Sequence, residues 1–291
     1  MLISGVLTAV LLAAGCTSAS APASWSVDNN GTLSVKCGSI TTTEQVLFTN
    51  DTYTKTKIIL HTQNGDVTTY LGAPKQPKAV LVYAPGAGEK ISGHEERMVR
   101  FAAAGFAFLF VDTRGNGGET PGNPFNPQAE FDAFENGEWP QYYMTVCDLS
   151  LAQQEMSQKF GVPVYAMGSS NGGRYAAVAA GTDTQFAGYI GISTADWGLL
   201  NSVVQQGITG EPVRFTKSLE PSTYLSHLSP RPIWMFHSRS DPIIPFELGQ
   251  DLYNNATQPK TFTEFYGGHG IDPSVDALII GQWAQIYGNR G

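Results

Sequence analysis

One serine lies in the glycine-flanked setting that a nucleophile on a sharp turn requires. The sequence GSSNGG at 168–173 follows an apolar run predicted to be a strand (164–167) and precedes a run predicted to be a helix (172–180). Glycines two residues before and two after Ser170 let the chain turn back on itself and expose the serine hydroxyl at the helix N-terminus. The G-x-S-x-G string is common by chance, but between these two elements it predicts that Ser170 is a nucleophile.

A serine hydroxyl needs a base that takes its proton, and the chain has five histidines. His269, in the sequence GGHG at 267–270, follows the last predicted strand and precedes the last predicted helix. A histidine flanked by glycines on such a loop is free to reach another strand end, so we predict that His269 is the base. We interpret the other histidines as structural; they are His61, His94, His227 and His237.

The base needs an acid that fixes its tautomer and stabilises the imidazolium. Asp241, in the sequence SRSDPIIP at 238–245, follows the predicted strand 233–236. The resulting chain order, nucleophile, acid, histidine, differs from the orders of the two other common serine-protease groups. We therefore predict that Asp241 orients His269.

Backbone amides complete this chemistry by stabilising the oxyanion of an acyl-transfer intermediate. One predicted donor is the amide of Asn171, which follows the nucleophile. The loop APGAG at 84–88 comes after the first predicted strand of the main sheet. We expect its Ala87 amide to be the second donor, with Gly86 as the alternative.

The elements that must position these residues alternate between strand and helix after Pro77. Strands that are apolar throughout belong to a parallel sheet covered on both faces, and regular alternation predicts a doubly wound sheet. Residues 41–71 instead alternate polar and apolar side chains, which predicts two or three antiparallel strands. We therefore predict an α/β fold with a doubly wound, mostly parallel sheet of about eight strands and antiparallel N-terminal strands.

Taken in order, the motifs PGAG, VDTRGNG, GSSNGG, SRSDPIIP and GGHG resemble the α/β-hydrolase superfamily, especially its dienelactone-hydrolase-like and prolyl-oligopeptidase-like members. The resemblance covers about residues 40–290 and implies the α/β-hydrolase fold. Pro85 stands where many members have histidine. Ser170 stands where dienelactone hydrolases use cysteine, so the resemblance does not imply that substrate.

The composition limits the classes of partner. Hydrophobic residues make up 42% of the chain and charged residues 14%, which is typical of a globular protein. A net charge of −8 and a pI near 5.1 argue against nucleic-acid binding, which needs a surplus of lysine and arginine.

His94-Glu95-Glu96 lacks the second histidine of a zinc motif, and no phosphate-binding glycine loop occurs. We predict no metal and no cofactor.

The N-terminus resembles an export signal. Residues 6–14 form an apolar run of the length of a signal-peptide core, too short to span a bilayer. The following AAGC resembles a bacterial lipoprotein signal and predicts lipidation at Cys16; the alternative is simple secretion after cleavage at Ala21-Pro22-Ala23. We expect a signal at 1–15, a tether at 16–40 and a hydrolase domain at 41–291. Contact with the membrane would occur only through the lipid.

Export would leave two cysteines, Cys37 and Cys147, in an oxidising compartment. An even number permits one disulfide between them. Two separate buried thiols are the alternative that the sequence leaves open.

Three functions fit these observations. The first is a serine hydrolase that cleaves carboxylic esters of small molecules through an acyl-enzyme. The second is a peptidase or amidase of the prolyl-oligopeptidase type acting on short peptides, although only about 75 residues precede the first core strand. The third is a non-catalytic binding module. Since only about 40 residues separate the predicted strands 186–192 and 233–236, we expect no large lid domain.

Overall fold

The computed structural model describes residues 22–287. The predicted signal segment and Cys16 therefore lie outside the described residues. The strands are β1 (Ser24–Val27), β2 (Leu33–Lys36), β3 (Thr41–Thr49), β4 (Thr54–Thr62), β5 (Gly65–Ala73), β6 (Ala79–Ala84), β7 (Phe106–Val111), β8 (Val164–Ser169), β9 (Tyr189–Ile192), β10 (Ile233–Ser238) and β11 (Lys260–Phe265). The α-helices are α1 (Glu95–Ala103), α2 (Pro127–Glu135), α3 (Gln141–Phe160), α4 (Asn171–Thr182), α5 (Leu199–Gln205), α6 (Glu211–Leu219), α7 (Pro221–Leu225), α8 (Phe246–Asn255) and α9 (Pro273–Tyr287).

Nine of these strands form one sheet in the order β11-β10-β9-β8-β6-β7-β5-β4-β3. Strands β6 to β11 run parallel to one another, whereas β5, β4 and β3 are added antiparallel at one side. The predicted fold class is thereby confirmed, with nine strands in place of about eight. The parallel order brings the carboxyl ends of β6, β8, β10 and β11 to one edge, where ligands bind in such sheets.

Both faces of the parallel strands are covered, as their uniform hydrophobicity requires. Along β6, Val80 and Val82 belong to the core that packs under α3, α4 and α8. Leu81 and Tyr83 point to the opposite core, which is shared with α1 and α9. This alternation along a strand buried on both faces is the physical origin of the doubly wound arrangement.

The structure differs from the tether that we predicted for residues 16–40. Residues 24–36 form the antiparallel hairpin β1-β2. Val27 and Leu33 are buried, and the ring of Trp25 lies 5.4 Å from that of Phe134. Strands of four residues carry too little periodicity to be recognised from the sequence, and burial of these apolar side chains fixes the hairpin onto the main body.

The two cysteines expected after export lie within bonding distance. The sulfur atoms of Cys37 and Cys147 are 2.12 Å apart, and their Cα atoms are 5.2 Å apart. This link joins the chain after β2 to helix α3 across 110 residues of sequence. Such a bond fits an oxidising compartment.

Residues 193–232, between β9 and β10, contain only the three short helices α5, α6 and α7, which agrees with the expectation of no large lid. Strand β3 lies at one edge of the nine-stranded sheet, and no other strand within residues 22–287 pairs with its outer side. Its pairing with β4 shifts register between Val46 and Phe48, which marks a β-bulge. Within residues 22–287, no helix has the length and hydrophobicity needed to cross a membrane.

Candidate active site

Ser170 lies on the sharp turn between β8 and α4 that the sequence predicts. Its backbone has φ 53° and ψ −121°, a conformation that costs free energy in any residue but glycine. A Cβ atom at Gly172 would lie 2.0 Å from the carbonyl oxygen of Ala84, and one at Gly168 would lie 2.3 Å from the oxygen of Gly172. Both flanking glycines are therefore sterically required, and the structure explains the G-x-S-x-G spacing.

His269 and Asp241 meet at the carboxyl ends of β10 and β11. The Nδ1 atom of His269 lies 2.9 Å from both carboxylate oxygens of Asp241. Because the carboxylate can only accept, Nδ1 carries the proton and Nε2 is left as the acceptor nitrogen of the neutral ring. The Asp241 side chain is fully buried, while 20% of the His269 side chain is exposed. This pair has the arrangement that orients a general base.

The acid is held by its own loop. Burial by itself would raise the pKa of the Asp241 carboxyl. The amides of Ile244 and Ile243, each 2.9 Å from Oδ1, and the imidazole of His269 outweigh burial and hold that pKa below its ordinary value. Asp241 is thus kept as a carboxylate, the form in which an acid can orient a general base.

His237 supports this loop from the interior. It is fully buried, and its Nε2 atom lies 2.9 Å from the carbonyl oxygen of Ile244 and 3.6 Å from Oδ2 of Asp241. Burial lowers the pKa of His237, so the neutral ring donates its Nε2 proton to Ile244. Its contacts agree with the structural interpretation that the sequence suggested.

Within the described part of the chain, no hydrogen bond joins Ser170 to His269. The residues next to Ser170 and His269 in the chain nevertheless lie close together. A Cβ atom at Gly270 would lie 3.4 Å from Oγ of Ser169, and one at Gly86 would lie 3.4 Å from Cβ of Ser170. The turn that carries Ser170 thus lies close to both the histidine loop and the loop after β6. Catalytic hydrogen bonds often tighten only when substrate binds.

The loop after β6, residues 84–89, is called the oxyanion loop below. The amide of Gly86 donates to Oε2 of Glu89 at 2.9 Å, and that of Gly88 donates to Oδ1 of Asn116 at 2.7 Å. The amide of Glu89 donates to the carbonyl oxygen of Gly86 at 3.1 Å. Among the hydrogen bonds of residues 22–287, none engages the amide of Ala87. Ala87, and not Gly86, therefore has its amide free for an oxyanion.

Asn171 provides the second free amide, since no hydrogen bond of the described residues engages it. Its side chain accepts a hydrogen bond from Arg174 at 2.7 Å. The guanidinium of Arg174 lies over the ring of Trp197, 4.1 Å from the ring centroid, and Phe125 stacks on Trp197 at 4.3 Å. The stacked rings of Phe125 and Trp197 are called the aromatic wall below.

Glu220 anchors this aromatic wall. Its carboxyl oxygens accept from the amides of Trp197 at 2.6 Å and Leu200 at 3.2 Å. Burial raises the pKa of Glu220 to about 7, and nearby Asp196 adds to the rise. No motif around Glu220 or Arg174 indicated these contacts, since they form only when distant segments pack together.

The described residues contain no group of three or more histidine, cysteine, aspartate or glutamate side chains placed to hold a metal ion. What the site does contain is a serine on a strained turn, a histidine-carboxylate pair and two free amides at one edge of the sheet. These groups suit acyl transfer through a serine.

A family model described as serine aminopeptidase, S33 (Hydrolase_4) matches residues 75–225 of the 291-residue chain. The chain is also similar to the uncharacterized protein YfhR of Escherichia coli (strain K12), with 28% identity over 75 residues. That match covers 26% of this chain and 26% of YfhR, so the chain matches about a quarter of the length of this curated relative.

Two solved structures illustrate the fold. The acetyl xylan esterase from Paenibacillus sp. R4 superimposes with a TM-score of 0.67 at 18% identity, over 84% of this chain and 88% of that one. The acylaminoacyl peptidase of Pyrococcus horikoshii does so with a TM-score of 0.59 at 14% identity, over 80% of this chain and 41% of that one. At such identities the likeness shows the α/β-hydrolase fold alone.

Proposed function

Because the chain belongs to the serine aminopeptidase S33 family of hydrolases, we propose that it is a serine hydrolase that cleaves carboxylic esters of small molecules. Ser170 is the nucleophile, His269 the general base and Asp241 the acid that orients it. The observation that carries this proposal is the pairing of Nδ1 of His269 with the buried Asp241 carboxylate beside a serine on a left-handed turn.

The proposed reaction uses each of these groups in turn. Oγ of Ser170 attacks the ester carbonyl while its proton passes to Nε2 of His269. The amides of Ala87 and Asn171 stabilise the resulting oxyanion. Collapse expels the alcohol, which takes the proton from His269, and leaves an acyl-enzyme. Water then attacks the acyl group while its proton passes to His269. His269 returns this proton to Oγ of Ser170 as the serine leaves, which releases the carboxylic acid and restores the free enzyme.

Peptide hydrolysis is the second candidate, and the family's description favours it. The small size of the inserts favours esters. Helices α5, α6 and α7 are the only ones between β9 and β10 in the described chain, and they are too short to build a domain that selects peptides. One structural neighbour is an esterase and the other a peptidase, so a direct comparison of substrates is needed.

The test compares hydrolysis of p-nitrophenyl esters of graded acyl length with that of aminoacyl and peptidyl p-nitroanilides. We expect activity on the esters, with a preference for short or medium acyl chains because the described chain contains no large lid. A fluorophosphonate probe should label Ser170, and Ser170→Ala is the control for both assays. Higher kcat/KM on the anilides would replace the esterase proposal with a peptidase. Absence of both activities and of labelling would refute both the esterase and the peptidase proposals.

A further inference from the structure

A cluster of buried charged and polar side chains lies beside the candidate active site. Its members His94, Arg97 and Asp276 have only 3%, 4% and 0% of their surface exposed. Burial of charged groups is unfavourable unless they are paired. These residues lie on or next to α1 and α9. His94 and Arg97 border a cavity of about 380 Å³ that is also lined by Glu89 and Ile271. The cluster therefore adjoins the loops of both the oxyanion amide and the histidine.

The direction of the hydrogen bonds in this cluster is fixed by Arg97. Nη1 of Arg97 contacts Nδ1 of His94, and a guanidinium can only donate. Nδ1 of His94 is therefore the acceptor nitrogen, and Nε2 carries the proton. Nε2 lies 3.3 Å from Oε2 of Glu89, in a close polar contact.

Glu89 passes this contact on to the oxyanion loop. The same Oε2 atom also accepts from the hydroxyl of Tyr83 and the amide of Gly86, each at 2.9 Å. With the Gly86 amide bound to Glu89, the next peptide along the loop carries the free amide of Ala87. His94 therefore holds the Glu89 carboxylate, which binds the Gly86 amide. In this way it places the following peptide, which carries the free Ala87 amide.

At its other end the cluster reaches the histidine loop. Nη2 of Arg97 donates to the carbonyl oxygen of Ile271, two residues after His269, at 2.9 Å. Its Nε atom donates to Asp276 at 2.8 Å, and Arg100 binds the other oxygen of Asp276. A continuous set of hydrogen bonds and one close polar contact, that of His94 with Glu89, thus runs from the oxyanion loop to the loop that carries the proposed base.

We propose that Glu89 and His94 are positioning residues, which hold the Ala87 amide in a fixed place relative to His269. The inference rests on the proposed function, because it assigns the Ala87 amide to an oxyanion. The pair acts on the transition state through the loop and leaves ground-state binding of substrate unchanged. Its loss should therefore lower kcat and leave KM nearly constant.

The test measures kcat and KM of His94→Phe, Glu89→Leu and Glu89→Gln on the best p-nitrophenyl ester. His94→Phe keeps the ring that packs 5.1 Å from the rings of Tyr83 and Phe110 but removes both nitrogens. We expect kcat to fall about 10–100-fold in His94→Phe and Glu89→Leu, part of the cost of losing an oxyanion donor altogether. Glu89→Gln keeps an acceptor oxygen for Gly86 and should recover most of that loss.

Tyr224→Phe is the matched control, because it removes a buried hydroxyl that binds Leu33 and Ser218 away from the site. It should lower the melting temperature and leave kcat unchanged. Three results would overturn the proposal: kcat of His94→Phe equal to that of this control, a change confined to KM, or Glu89→Gln no better than Glu89→Leu.

Hydrogen exchange separates this proposal from the proposed function. In the wild type the Gly86 amide should exchange slowly, and in Glu89→Leu it should exchange faster. If the wild type neither hydrolyses esters nor reacts with a fluorophosphonate, the proposed function fails, while slow exchange at Gly86 would still establish the hydrogen-bond network. Equal exchange in wild type and variant refutes the network itself.

Discussion

The two sides of the candidate site are held in place by different means. On the acid side, Asp241 is fixed by amides two and three residues further along its own loop. On the oxyanion side, residues 86–89 are fixed by Asn116, whose Nδ2 donates to the carbonyl oxygens of Gly86 at 3.2 Å and Glu89 at 2.9 Å. Short motifs thus build one side by themselves, whereas the other depends on side chains contributed by distant segments.

The largest expected effect tests whether the two sides converge on Ser170. Ser170→Ala should lower turnover on the order of 10⁴-fold or more, and His269→Ala should cost about as much because the two act as one unit. Asp241→Asn should cost less, since it leaves both the nucleophile and the base in place. Steady-state kinetics measures this, and circular dichroism should show unchanged folding in all three variants. Full activity of His269→Ala would show that the acid side takes no part in catalysis.

A smaller effect distinguishes local from distant support. Asn116→Ala removes three hydrogen bonds to the oxyanion loop and should lower kcat about 10–100-fold with little change in KM. His237→Phe removes one bond to the acid loop, whose two amide contacts to Asp241 remain, so its kcat should fall less. The comparison fails if His237→Phe proves the more damaging of the two when their kcat values are measured side by side.

These differences explain what the sequence could predict. Ser170, Asp241 and His269 each lie in a motif whose spacing has a local steric or hydrogen-bonding reason, so their positions at the strand ends followed from the pattern. The choice between Ala87 and Gly86 did not, because it depends on Glu89 and on Asn116, which lies 27 residues further along the chain. Asn116 belongs to the recognised DTRGNG segment, but nothing in that string indicates which loop it contacts.

The same limit applies to the fold. The parallel strands were recognisable because burial on both faces makes them apolar throughout. The hairpin β1-β2 was not, since its two strands have four residues each and are held by tertiary contacts such as that of Trp25 with Phe134. Helices α5, α6 and α7 are also short, and they lie in the segment between the predicted strands 186–192 and 233–236, where no helix was predicted.

The smallest expected effect concerns Glu220, behind the aromatic wall. Its folded pKa of about 7 lies above the ordinary value, so the folded protein binds more protons than the unfolded chain between about pH 4.5 and pH 7. Its contribution to the free energy of unfolding is therefore most favourable below this window and falls as the pH rises through it. Glu220→Gln removes the ionisation, so the variant should be more destabilised relative to wild type at pH 5 than at pH 8.

Thermal unfolding at these two pH values measures the difference, which we expect to be about 2–6 °C in Tm. Asp196→Asn removes the neighbouring charge that contributes to the raised pKa of Glu220 and so tests that contribution. A gap between wild type and Glu220→Gln that is constant with pH would show that the carboxyl of Glu220 does not titrate in this range.

The free edge of the sheet has a consequence for how the protein behaves when concentrated. Among residues 22–287, no strand pairs with the outer edge of β3. Val46, Leu47 and Phe48 on this strand are 63%, 42% and 47% exposed. The bulge between Val46 and Phe48 interrupts the regular edge where it is most hydrophobic, and the ion pair of Glu44 with Lys159 places charge nearby. Such features keep edge strands from pairing between molecules. Straightening the irregular step in β3 would therefore be expected to favour ordered aggregation of the folded chain.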